Sequence, residues 1–480
     1  MCWKLDRKVV KRMRNKTKQD DPNAPDQMTA TEKKAVSSLS GIYALRMFGL
    51  FMILPVFSLY AQELEDVTPF LIGIAIGAYG LTQAAFQLPF GMMSDRIGRK
   101  PVIAMGLVIF AIGSVVAAMS DSIYGVIIGR ALQGSGAIAA AIMAMTADLT
   151  REEHRVRAMA SIGMSIGFSF AIALVAGPAL DRWIGVDGLF WLTAVLAIAA
   201  IFIIYVRVPT PTTMRFHRDA QPVPQQFKTV LRDPELLRLD FGIFVLHMAL
   251  TATFVVLPIA LRDHAGLATE HHWWIYFPIM VIAMVVMVPF VVVAEKRRRM
   301  KQILTGAVFI LAISELLLLI SYDTTYAIFL SLGLFFIAFN VLEATLPSMI
   351  VKVAPPDIKG TAMGVYSSCQ FLGAFVGGAA GGYIYGEFGI GAVFAFAAAA
   401  LVAWGVVTAS MRNPRYLGSF MVRVGEVDER RARQLVEEMT AVQGVAEAVV
   451  IPEDGVAYLK VDNNAVDKVA LMRFAVQSEA

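Results

Sequence analysis

Apolar residues along this chain gather into blocks of about 20, the length that carries a helix across the hydrocarbon core of a bilayer. The pattern predicts twelve spans, at 41–60, 70–92, 101–119, 122–146, 156–180, 186–207, 237–262, 270–294, 301–320, 325–350, 360–385 and 389–411. The gap at 208–236 sets Pro209, Pro211, Pro222, Pro224 and Pro234 among charges. It reads as a linker. The expected fold is an all-α membrane protein of two six-helix halves, 41–207 and 237–411, behind a basic tail at 1–40.

Past a short linker at 412–419 the period shortens. Residues 420–424 alternate as a strand, and 428–441 reads as a helix opened by an acidic cap. Two further strands, 445–451 and 456–461, flank an Asp454-Gly455 hairpin, and 465–476 reads as a last helix. The order βαββα predicts a small α+β ferredoxin-like domain over 420–480. Copper chaperones share that fold but need a Cys-x-x-Cys pair, which this segment lacks.

Composition agrees with a membrane protein. Hydrophobic residues make up 57%, charged ones 17%, and the mean hydropathy is +0.63, beyond the range of ordinary soluble domains. A net charge of +4 does not point to nucleic acid. Cys2 and Cys369 are the two cysteines, too few for a disulfide framework and not in metal-ligand spacing. With no nucleotide loop, nucleophile triad or metal cluster, neither an enzyme nor a cofactor is expected.

The placement of charge gives orientation. Lys4 to Lys18, Arg96/Arg99/Lys100, Arg151/Arg155/Arg157, Lys296 to Arg299 and Lys352/Lys359 alternate with loops carrying Glu63, Glu65, Asp66, Asp121, Asp187, Asp263, Asp323 and Glu387. By the positive-inside rule both termini are cytosolic. The basic tail either sets this topology or binds acidic lipid headgroups.

Between the second and third spans lies Gly91-Met92-Met93-Ser94-Asp95-Arg96-Ile97-Gly98-Arg99-Lys100. This charged hinge resembles the signature loop of the major facilitator superfamily, G-x-x-x-D-R-x-G-R-K/R. The appended βαββα unit, Gly80 to Ala84, Gly129 to Ala140 and Gly360 to Tyr366 resemble the bacterial YajR-type group of that superfamily. The resemblance implies a secondary transporter of the bacterial inner membrane, built from repeats and driven by an ion gradient. In the loop, Gly91 and Gly98 allow close approach and a sharp turn. Asp95 can meet the positive N-terminal end of span 11, and Arg96, Arg99 and Lys100 can pair with Asp148 or Glu152. Either the loop gates the cavity or it anchors topology alone.

Ionisable groups inside the spans are the candidate machinery, because each is costly in lipid. Arg130 and Gln133 stand in Arg130-Ala131-Leu132-Gln133-Gly134-Ser135-Gly136, which resembles the span-4 motif of proton-driven members. The bland alternative is an arginine satisfied by neighbouring carbonyls. Glu343 in span 10, with Asn340 and Pro347 at helical spacing, is the candidate titrating carboxylate. Its alternative is a neutral acid in an interhelical hydrogen bond. Tyr79, Gln83 and Gln87 recur every four residues as a polar stripe. Arg46 either lines the cavity or reaches headgroups, and His247 either titrates or serves as a structural hydrogen-bonder. Glu315 reads as snorkelling at an outer end. Gly177 and Pro178 partly resemble the Gly-Pro motif of proton-antiport exporters, although Ala173 replaces an expected glycine. Gly373, Gly377 and Gly381 predict close helix packing.

The expected function is proton-coupled efflux of a small, amphipathic solute. The alternatives are a proton-coupled importer and a membrane sensor signalling through 420–480. The implied partners are protons, a small-molecule substrate and the bilayer, with oligomerisation or a regulatory ligand at 420–480.

Overall fold

The computed structural model describes residues 27–210, 223–355, 357–414, 416–462 and 465–476. The basic tail before residue 27 and the middle of the linker fall outside them. Among the described residues the helices of ten residues or more that form the body are α1 (Ala30–Phe51), α2 (Pro69–Ile97), α3 (Arg99–Ala118), α4 (Ile123–Ser135), α5 (Ala139–Asp148), α6 (Glu152–Val206), α7 (Pro234–Ile259), α8 (His272–Lys296), α9 (Met300–Ser321), α10 (Thr325–Val353), α11 (Lys359–Phe388) and α12 (Ile390–Ser410). Among the described residues nine helical runs are long and apolar enough to cross a membrane. The helices α1, which carries Lys33 and Lys34, and α11, which is glycine-rich, are not among the nine.

Local chemistry moves several predicted boundaries. The first helix starts at Ala30 rather than 41 because Thr29 and Glu32 close a reciprocal capping box, with bonds of 3.2 and 2.8 Å. Part of the expected tail is thus helix. The predicted fourth span breaks between α4 and α5 at Gly136–Ile138. The guanidinium of Arg46 donates to the Gly136 carbonyl at 3.0 Å, satisfying a group the break leaves outside the helical ladder. The two spans predicted at 156–180 and 186–207 run on as α6, bent at Gly185, whose φ of +67° only glycine adopts readily.

At one end of the body lie Arg99, Arg151, Lys352 and Lys359, here the basic end; at the other lie Glu63, Asp121, Asp187 and Asp263, the acidic end. The two halves meet along α2 and α11. Gly73 and Gly378 face each other so closely that a Cβ on Gly73 would sit 2.0 Å from the Gly378 carbonyl oxygen, so backbone touches backbone. A different face of α11, the predicted stripe of Gly373, Gly377 and Gly381, packs on α7 in its own half. At the acidic end Arg262 also donates to the Gln62 side-chain oxygen across the halves at 2.8 Å.

The C-terminal unit follows as β1 (Gly418–Arg423), α13 (Glu429–Thr440), β2 (Val445–Ile451), β3 (Val456–Val461) and α14 (Lys468–Met472). Its three strands form an antiparallel sheet in the order β1-β3-β2, with α13 burying Ala432, Leu435 and Met439. The last helix is shorter than 465–476. Beyond Met472 the chain turns back to the sheet, and the Val476 amide donates to the Arg423 carbonyl at 2.9 Å.

The unit sits against the basic end. Lys460, 5% exposed, donates to the carbonyls of Lys352 and Val353 at 3.0 and 3.2 Å, the last turn of α10. A cation there completes unsatisfied carbonyls and opposes the negative end of the helix dipole. Tyr416 accepts from the Met300 amide at 2.8 Å.

Candidate functional site

A cavity of about 2520 Å³ lies between the halves. Its lining includes Asp148, Arg151 and Arg155 on one side and Lys352 and Lys359 on the other, so it opens at the basic end. The α2–α11 contact shuts the acidic end. Phe420, Tyr458, Leu459 and Met472 of the C-terminal unit face the mouth.

Inside, the halves touch through rings. Phe170 on α6 packs edge-on against Phe51 at 4.9 Å and lies 5.5 Å from Phe339 on α10. The aromatic residues give the wall an apolar surface that sequence periodicity did not single out.

The wall from the N-terminal half is cationic. Arg130 donates to Gln133 at 2.9 Å and reaches the carbonyls of Ala75 and Ile76, both at 3.4 Å, with its charge over the Tyr79 ring at 5.5 Å. Arg130 is thus held by carbonyls and also lines the cavity. Tyr79 and Gln87 line the cavity too. Arg46, Gln83 and Gln133 do not. Arg46 is 1% exposed, donates to Gln83 at 2.8 Å and stacks between Tyr79 and Phe110. Gln133 donates to Ser114 at 2.8 Å. Their expected place on the cavity wall is corrected: they form the polar layer behind it. Arg46 does not reach headgroups, because burial and the α4–α5 break hold it inward.

Deeper than Lys352 and Lys359, the wall from the C-terminal half presents one carboxylate and polar groups. Glu343 and Asn340, both lining the cavity, stand on α10. His247 on α7 brings Nε2 to 3.4 Å from Glu343 Oε1, and to 2.8 Å from the side-chain nitrogen of Gln370 on α11. Glu343 keeps 32% of its side chain exposed, toward the cavity. Asn340 spends its amide on the Phe336 carbonyl at 2.7 Å. The structure thus unites Glu343 and His247, which lie 96 positions apart. Gln370 and Tyr366 were missed, although their four-residue spacing repeats the signal that drew attention to Tyr79, Gln83 and Gln87.

Glu315 does not snorkel. It is 0% exposed and accepts from Thr253 at 2.7 Å, because α9 packs this side toward α7.

The hinge loop closes on its own half. Gly98, at φ +106°, turns the chain from α2 into α3. Arg99, 3% exposed, bridges Asp95 and Asp148, at 3.0 Å to the latter, and donates to Ser94 at 2.8 Å. Lys100 reaches the Val208 carbonyl at 2.6 Å. Asp95 pairs with Arg99 of its own half rather than with the N-terminus of α11. Arg96 is exposed. Gly91 packs on Ala140, where an added Cβ would come within 3.1 Å. Gly177 lies against the Met52 carbonyl, and Pro178 follows it inside α6. At the same end Glu32 accepts from the backbone and guanidinium of Arg151 at 2.8 and 3.1 Å. Burial would raise this carboxyl, but the Arg151 bonds outweigh it and hold the group down at about 2.

The Major Facilitator Superfamily profile matches residues 39–378 and 301–423. The chain is 45% identical over 441 residues to the inner membrane transport protein YajR of Escherichia coli (strain K12), covering 92% of this chain and 97% of that protein. It is 25% identical over 353 residues to the multidrug resistance protein MdtH of Proteus mirabilis (strain HI4320), covering 71% and 84%. In fold it is similar to a solved bacterial homolog of the human lysosomal transporter Spinster, in an inward-facing form, with a TM-score of 0.61 at 14% identity over 80% of this chain and 96% of that one. The chain belongs to the Major Facilitator Superfamily and is a multi-pass membrane transporter, not an enzyme.

Proposed function

We propose that the protein is a proton-coupled exporter working by alternating access, with Glu343 as the coupling acid. The carrying observation is the Glu343–His247 contact, 3.4 Å across, between two residues that line the cavity. A carboxylate that holds either a proton or a cationic partner lets one site alternate between driving ion and cargo. Aromatic rings and a cationic opposite wall suit a small amphipathic solute. The name of the MdtH relative supports that class.

The reading includes twelve spans: the nine apolar runs, α6 counted twice across its bend at Gly185, and α1 and α11. It places the basic end in the cytosol with both termini, in a bacterial inner membrane, following the charge distribution and the YajR relative. The described form is then cytosol-open. Asp95, Arg96, Gly98, Arg99 and Lys100 would close the basic end in the opposite form, when Asp95 reaches α11. The C-terminal unit is proposed as a ferredoxin-like regulatory or oligomeric module.

The test is proton flux in proteoliposomes under an imposed pH gradient with a panel of amphipathic solutes. Solute-dependent proton movement lost in Glu343→Gln supports the reading; coupling retained in that variant sinks it. Movement in the same direction as solute would make it an importer. A sensor is the second reading, favoured by the C-terminal unit facing the cavity mouth. It predicts no flux from any solute and a change in the unit on solute addition.

A further inference from the structure

Besides Glu343 on the cavity wall and Glu315 on α9, the C-terminal half buries a third carboxylate, and the cavity does not reach it. Asp240, in the second turn of α7, is 3% exposed, and neither of its oxygens has a hydrogen-bond partner among the described residues. Burying an ionised carboxylate without donors is costly, and buried polar groups are ordinarily satisfied. The nearest cation along α7, Arg238, is engaged by Glu235 at 2.5 Å.

The neighbours of Asp240 identify what it takes up. Tyr366 on α11 is 3% exposed, and its hydroxyl too lacks a partner. Tyr366 precedes Gly373 by seven residues and so shares the face of α11 that packs on α7, where an added Cβ on Gly373 would meet Phe244. Cys369 follows one turn along α11. His247 follows Asp240 by seven residues, so both occupy one face of α7. On α12 the polar neighbour of this stretch of α7 is Trp404, which packs on Gly242 with its indole nitrogen unpartnered. Lys359, at the start of α11, has contacts of its own. Glu343, His247 and Tyr366 line the cavity and Asp240 does not.

We propose that Asp240 is a second proton-binding carboxylate, screened from the solute by Tyr366, which exchanges its proton with Glu343. This rests on the reading of Glu343 as the coupling acid. In the step, the Asp240 acid gives its proton to the Tyr366 hydroxyl oxygen while the Tyr366 hydroxyl proton passes to the Glu343 carboxylate. Tyr366 stays neutral, Asp240 becomes the carboxylate and Glu343 the acid. The contacts are open in the described form, so a turn of the Tyr366 side chain must close them. Solute competes for Glu343 alone, and the proton on Asp240 is held where cargo cannot displace it.

The experiment is an infrared difference titration of the full chain in phosphatidylglycerol–phosphatidylcholine vesicles, with protons as the only ligand. Wild type should show titrating carboxylic-acid bands for Asp240 and for Glu343, read apart from the buried Glu315 by their loss in the variants below. Asp240→Asn should lose one, Asp240→Glu should restore it, and Glu343→Gln should lose the other while moving the midpoint of the Asp240 band. Tyr366→Phe should keep both bands and uncouple their midpoints. An unchanged spectrum in Asp240→Asn overturns the inference, whatever Glu343 does. A band lost in Asp240→Asn but indifferent to both Glu343→Gln and Tyr366→Phe also overturns it, because Asp240 would then be an isolated acid. Failure of Glu343→Gln to abolish solute-driven proton flux, with the Asp240 band present and responsive, overturns the proposed function instead.

Discussion

His247 Nε2 lies 3.4 Å from Glu343 Oε1 while the Gln370 side-chain nitrogen approaches it at 2.8 Å. With Nδ1 facing the Ile243 carbonyl at 3.3 Å, that nitrogen carries the ring proton and Nε2 accepts from Gln370. A proton arriving at Nε2 would remove that acceptor and leave the Glu343 carboxylate as the favourable partner. The three side chains, from α7, α10 and α11, form a contact whose pairing depends on where the proton sits.

Gln370→Leu should therefore bring His247 and Glu343 into firmer pairing, since the competing amide is gone. The expected result is a shifted pH profile of solute-driven proton flux. Glu343→Gln should reduce that flux by at least about tenfold, equivalent to about 1.4 kcal/mol. An unmoved profile in Gln370→Leu would mean that the amide does not compete.

Glu32 supplies a pH dependence at the basic end. Its carboxyl is held at about 2 against an ordinary value of 4.5, so the folded state prefers the ionised form. The sign follows: its contribution is complete above the ordinary value and is lost as pH falls through that window toward 2. Glu32→Gln should cost about 1–3 kcal/mol at neutral pH, from bonds to a charged acceptor. Thermal unfolding should show the gap to wild type narrowing as pH drops. A constant gap would assign the effect to the cap alone.

Gly378→Val would drive a side chain into the backbone of α2, since even a Cβ at this position meets the Gly73 carbonyl at 2.4 Å. The acidic end should no longer close. Spin labels at Gln62 and Arg262 should report a longer distance, and flux should fall. Unchanged distances would show that α2 and α11 have room to slide.

Asp95→Asn removes one of the two carboxylates on Arg99, while Asp148 remains at 3.0 Å. The described form should be little affected, because Arg99 stays anchored. Flux should fall if Asp95 is needed when the basic ends meet. Full flux with normal insertion would refute the gate and leave the loop as a topology anchor.

Lys460→Met should free the C-terminal unit from α10, as the carbonyls of Lys352 and Val353 lose their cation. Hydrogen exchange across Gly418–Val461 and the last turn of α10 should rise together. Exchange confined to the unit would mean that the docking does not depend on this lysine.

The chain's periodicity was enough to read the helices, because a bilayer selects for runs of fixed length. The short strands of the C-terminal unit followed from Asp454-Gly455 and alternating apolar positions. Boundaries were less legible. The capping box at Thr29 extended the first helix, and the α4–α5 break depends on an arginine from a different helix. Residues with a local signature, such as Gly98 and Arg99, were readable from spacing. Asp240 was not, because a lone acid early in a span looks like an interfacial residue until its lack of partners is visible.

The sequence by itself determined the class of protein, the order of its helices and the list of costly polar groups, since hydrophobic length and charge placement act residue by residue. Only tertiary structure decided which groups work together. Arg46 and Gln133 went behind the wall, Glu315 went inward, and Glu343 met His247 and Gln370. Such meetings depend on helix rotation and close packing between distant segments, and a one-dimensional pattern does not record either.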